Sequence, residues 1–131
     1  MNQITALKQV RDELIEQVIG NSNRDFLTFV RAMAPTLIAD FKMGRHIEII
    51  ASKLQQLEEG TCKRLMVFLP PRSSKSVICS KLFPAWYIGR HPNHEILSVS
   101  HSDQLASDFG RSVRDVVKSN LFEIIFPEVR L

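Results

Sequence analysis

"RLMVFLPPRSSKSVIC", residues 64–79, decides how this chain is read. The run RLMVFL (64–69) lies between a Lys-Arg pair and two prolines, and a short apolar run of this kind suits a strand buried on both faces. Residues 75–89 follow with Val77, Ile78, Leu82 and Phe83 at helical spacing, and Pro84 is expected to kink that helix or end its first half. Lys75 and Ser76 stand at the junction. There a phosphate-binding loop puts a lysine for the β/γ-phosphates and a hydroxyl for Mg²⁺, with the helix's positive end behind them. The glycines of G-x-x-x-x-G-K-[ST] are absent: Leu69 and Ser74 occupy their places. If the position before the lysine requires φ > 0, Ser74 carries strain of about 1–3 kcal/mol. A divergent phosphate loop and an ordinary polar turn both fit the pattern alone.

Outward from the loop, EILSVS (95–100) reads as a second buried strand and 102–119 as a long helix. Ser102 or Asp103 caps that helix, and Leu105, Phe109, Val113, Val116 and Val117 face inward. Strand, loop, helix and strand form a βαβ crossover, so the expected fold is α/β, a partial parallel sheet of the P-loop NTPase type. Two parallel strands do not make a stable sheet, and the chain reads as the front portion of a larger α/β domain. Upstream, three helices are expected: residues 4–18 ending at Gly20, a short helix around Phe26–Met33 ending at Pro35, and one from Gly44 to about Glu59. The expected organisation is a helical region over 1–60 and the first βαβ portion of an ATPase domain over 61–131.

Composition agrees with a globular chain: 131 residues, 44% hydrophobic and 24% charged. No signal peptide or membrane span is expected. The net charge of +3 is unevenly placed, with seven Lys/Arg against eight Asp/Glu in 1–60 and ten against six in 61–131. A basic second half is compatible with phosphate-bearing partners and with a plain solvated surface. Cys62 and Cys79 have no partner pair or metal-ligand spacing and read as free thiols. His91, His94 and His101 share no ligand spacing on one helix face and read as loop residues. Phe83, Trp86 and Tyr87 read as an aromatic core or contact cluster.

From RLMVFLPPRSSKS through FPAW, ILSVSHS, LASDFGRSVRDVV and LFEIIFPEV, the chain resembles the large terminase subunit of tailed bacteriophages or prophages. The likeness covers residues 41–131 and is poor before them. It implies the ATP-binding part of a motor that drives double-stranded DNA into a procapsid, with ATP and Mg²⁺ as cofactors. The implied partners are the portal protein, the small terminase subunit and further copies of the motor, in the host cytoplasm and transiently at the procapsid portal.

Residue by residue, the resemblance implies that Lys75 contacts the β/γ-phosphates and Ser76 holds Mg²⁺. Arg72 would stabilise charge on the transferring phosphoryl group, or pair with a neighbouring acid. Ser73 and Ser74 complete the loop. His46 falls near a segment that packs on the adenine, or is a surface histidine. Arg111, Arg114 and Lys118 form a stripe suited to DNA phosphates, or a solvated face beside Asp108 and Asp115.

No apolar run ends in the paired acids that hydrolysis needs, so the chain is expected to bind ATP without turning it over efficiently. Two other readings stay open. One is a non-catalytic binding module left by a prophage, and the other is a helicase-type P-loop translocase.

Overall fold

The computed structural model describes residues 2–130, and among them all regular structure is helical. The helices are α1 (Asn2–Ser22), α2 (Phe26–Leu37), α3 (Arg45–Glu59), α4 (Phe83–Arg90), α5 (Asp103–Val117) and α6 (Asn120–Ile125). A π-helical turn, Val77–Leu82, runs directly into α4.

The parallel α/β sheet expected of this sequence is therefore corrected, and with it the βαβ reading of 61–131. Segments 64–69 and 95–100 make no ladder hydrogen bonds, with each other or with any other segment among the described residues. A strand leaves every second N–H and C=O pointing at a neighbour, and two crossover-linked strands supply too few neighbours. The first segment keeps a strand's alternation all the same. Leu65, Val67 and Leu69 pack on the core, whereas Met66 and Phe68 are 83% and 84% exposed. The second turns Leu97 and Val99 outward as well.

α2 is the central element. Asp25 caps it, accepting from Thr28 N at 3.0 Å and Thr28 Oγ1 at 2.6 Å. Its inner face, Phe26, Phe29, Val30, Met33 and Ala34, is fully buried. Ile47, Ile50 and Leu54 of α3 join it from one side, and Ile78, Leu82 and Trp86 of the π turn and α4 from another; Val116, Phe122 and Phe126 close the cluster. Residues before and after position 60 thus share one core. α3 ends at Gly60, whose φ of 82° is the left-handed cap expected of a glycine stop.

Two expected stops do not stop their helices. α1 passes through Gly20, where helical glycine costs only about 1 kcal/mol. α2 runs two residues past Pro35, whose missing N–H removes a single bond near the helix end. The π turn resolves the Pro84 problem. Pro84 cannot donate to the carbonyl four residues back, and its ring crowds that group. Widening the helix relieves the clash, and Phe83 N–H donates to Ile78 O, five residues back. No helix among the described residues is long and apolar enough to cross a membrane.

One polar cluster locks the helices' ends. Trp86 Nε1–H donates to Ser22 O at 3.0 Å. Arg90 lies over the Trp86 ring at 5.1 Å and donates to Asn23 O at 2.7 Å and Glu58 Oε1 at 2.9 Å. His91 Nε2 is 2.8 Å from the same Glu58 oxygen.

The Glu58 side chain is only 5% exposed. Burial pushes its carboxyl up, but hydrogen bonds and charge from Arg90 and His91 outweigh that and hold it below 4.5. A carboxyl depressed by folding stabilises above its unfolded pKa and loses that contribution as pH falls through its folded pKa. Acid unfolding below about pH 4.5 is therefore expected to be shallower in Glu58→Gln than in wild type. Circular dichroism melts between about pH 3 and 6 check this, and parallel acid limbs refute it.

Candidate functional site

The loop 70–76 is a tight turn closed from within, since Ser73 Oγ donates to Pro70 O at 2.8 Å. Arg72 and Ser74 both adopt φ of 63°, in the left-handed region that non-glycine residues rarely occupy. Ser74 is thus in the conformation that the glycine before the lysine would supply without strain. Its carbonyl accepts from Ile78 N at 3.1 Å, which starts the helix at this point. Helical backbone begins at Lys75, so the N–H groups of the first turn have no partner within the helix.

Lys75 and Ser76 lie on the wall of an open groove of about 290 Å³. Leu54 and Leu57 of α3 form one side, Leu65 and Val67 of the 64–69 segment another, and among the described residues no acidic side chain lines it. Cys79 stands one turn beyond Lys75. Burial pushes its thiol above the usual range, partly opposed by the Lys75 ammonium, so that charge lies within electrostatic reach of the groove. Arg72 is exposed at the loop's tip and makes no ion pair among the described residues.

The structure brings His46 to the loop. Its Nε2 lies 3.2 Å from Ser73 O. A carbonyl only accepts, so the ring carries its proton on Nε2 in this contact. Gly44, legible in the sequence only as a helix start, makes room for that ring: a β-carbon there would come within 2.7 Å of His46 Cε1 and Nδ1. The spacing G-R-H is the sequence signal, but its meaning depends on the ring folding back over its own helix cap. His46, Arg72, Ser73, Ser74, Lys75 and Ser76 therefore form one neighbourhood.

Arg111, Arg114 and Lys118 are far from this in sequence, all three exposed along α5 and its cap. Arg111 is paired with Asp108 at 3.5 Å. Arg114 and Lys118 make no ion pair among the described residues. His91, read as a loop residue, caps α4 and belongs to the Glu58 cluster, and its ring stacks on His94 at 4.8 Å. Phe83 and Trp86 pack on Phe26, at 5.4 and 5.3 Å between ring centres. Among the described residues no group of three or more His, Cys, Asp and Glu side chains is placed to hold a metal ion. Comparison of the chain with known protein families, with curated proteins and with solved structures finds no match.

Proposed function

We propose that residues 70–76 hold the β/γ-phosphates of ATP, and that the chain is the nucleotide-gripping part of a terminase-like motor for packaging double-stranded DNA. The observation that supports this best is Ser74. It is a non-glycine residue at φ 63° directly before Lys75, in the strained left-handed conformation that a phosphate-loop glycine would take there. Strain of this kind is found where the backbone must present N–H groups in a fixed direction.

The donor set suits an anion. Lys75 supplies a charge held against a partly apolar wall, where it is screened less than at a free surface. Arg72 supplies a second charge at the tip. Ser76 offers a hydroxyl to Mg²⁺, whose other ligands would be phosphate oxygens and water, in keeping with that ion's habits. His46 binds the Ser73 carbonyl and so keeps that oxygen from repelling a phosphate. Among the described residues no carboxylate lines the groove to activate water, in keeping with a part of the motor that binds ATP without hydrolysing it efficiently. On this reading Arg114 and Lys118 are the cations of α5 that would meet DNA phosphates, with Arg111 held back by Asp108. Portal, small subunit and further motor copies, in the host cytoplasm, follow from the same reading.

The test is a fluorescent ATP titration with and without Mg²⁺. Ser74→Gly frees the left-handed conformation of strain, so the loop spends more time in the accepting shape. Affinity is expected to rise several-fold, up to ~10-fold for about 1.4 kcal/mol of relieved strain. Equal affinity for the two proteins overturns the loop's role. Absence of Mg²⁺-dependent binding by both would favour the second reading, a non-catalytic binding module, to which the all-helical regular structure of the described residues also lends itself.

A further inference from the structure

α1 is about 30 Å long, and only its last turn is held by the body. Ile4, Leu7, Val10, Leu14, Ile15 and Val18 fall on one side of it, and all six are 46–70% exposed. Beside this stripe runs an open apolar groove of about 530 Å³, floored by Ala32 of α2 and Leu121 of α6. A continuous apolar face of this length marks a contact surface rather than scattered surface leucines.

The charges on and beside the stripe select the occupant. Lys8 and Asp12 sit one turn apart on the same edge, and Arg11 lies within the stripe, bound to Asp12 at 2.9 Å. A parallel pairing of two copies would set Arg11, which lies at the centre of the stripe, on Arg11. An antiparallel pairing about a two-fold axis at residue 10 sets Lys8 of each copy against Asp12 of the other and Val10 on Val10. With that axis the two stripes overlap over residues 4–16, and Leu7 of each copy lies beside Leu14 of the other. Self-complementarity under a two-fold axis is the condition for a closed homodimer.

We propose that α1 is a dimerisation helix, packing antiparallel against α1 of a second copy of this chain, each helix lying in the groove beside the other. The pairing uses none of the loop residues and is independent of nucleotide binding.

Sedimentation equilibrium of the full chain reads it directly. The expected species is twice the 15.0 kDa chain mass. Leu7→Glu/Leu14→Glu places carboxylates in the seam, and dissociation is expected to become at least ~100-fold easier. Both positions are exposed in the single chain, so the helix content of the dissociated protein should match wild type, and only the concentration-dependent part of the melting should be lost. Lys8→Glu tests the orientation. It weakens an antiparallel dimer by setting the new carboxylate of each copy against Asp12 of the other, and adding Asp12→Lys restores it. A protein monomeric at about 100 µM overturns the proposal. So does a dimer indifferent to Leu7→Glu/Leu14→Glu, or one indifferent to Lys8→Glu.

Discussion

Lys75→Ala is expected to lower affinity for Mg²⁺-ATP by about 10–100-fold. A hydrogen bond from an ammonium to a phosphate is worth about 1.5–3 kcal/mol net, and every 1.4 kcal/mol is tenfold in affinity. The backbone N–H groups of the loop and first helical turn remain, so some binding survives. Lys75→Arg recovers only part of the loss, because a planar fork does not replace a compact point charge at the same reach. Arg72→Ala, at the exposed tip, has the smaller effect on binding.

A second readout needs no nucleotide. With the Lys75 charge gone, only burial acts on the Cys79 thiol, which moves further up, and its reaction with a disulfide reagent at fixed pH slows. Titration and thiol kinetics on one variant thus separate a lost phosphate contact from a collapsed loop. Unchanged ATP affinity in Lys75→Ala, with the loop intact by thiol rate, removes the nucleotide reading altogether.

Trp86→Ala is expected to cost about 3–5 kcal/mol of folding stability, a large share of the ~5–15 kcal/mol typical of a domain. Trp86 is fully buried between Phe26 and Phe83. Its loss opens a cavity, strips the Ser22 carbonyl of its donor and leaves Arg90 without the ring it lies on. A fall in Tm of roughly 10–20 °C follows for a chain of this size. Trp86→Phe keeps most of the packing and loses the hydrogen bond, at about 1–2 kcal/mol. Urea unfolding of both variants checks the ranking. Equal losses would mean that packing contributes little beyond the single bond.

The helices are legible in the sequence because a helix declares itself within its own length. Gly44 and Gly60 bracket α3, and Ser102 caps α5 by accepting from Leu105 N at 3.2 Å. α6 is the exception: its apolar pair, Phe122 and Ile125, is too short a pattern to stand out until Ser119 is seen capping it. The sheet fails for the opposite reason. A strand is completed by partners elsewhere, and RLMVFL looks the same whether it pairs or merely lies along a core. Its alternation from Leu65 to Leu69 is real, but alternation records one buried face, not a ladder.

The loop is half legible. The position before Lys75 already marks Ser74 as the residue in question, since the lysine–serine pair fixes where a glycine would stand. The tether from His46 to Ser73 spans 27 residues and depends on where α3 docks, which no local pattern encodes.

The joint between α1, α2 and α4 bears on how this chain can vary. Trp86 and Arg90 both hold main-chain carbonyls, those of Ser22 and Asn23. Every residue type supplies a carbonyl, so the acceptor side is indifferent to substitution as long as bulk is tolerated. Position 22, fully buried, tolerates only small residues. Position 23 is freer, since the buried Oδ1 of Asn23 finds no donor of its own and its removal leaves nothing unpaired. Sequence drift should therefore run through the connection at 22–23 while the donors at 86 and 90 stay fixed, a one-sided constraint that a diverged copy of this chain would still display.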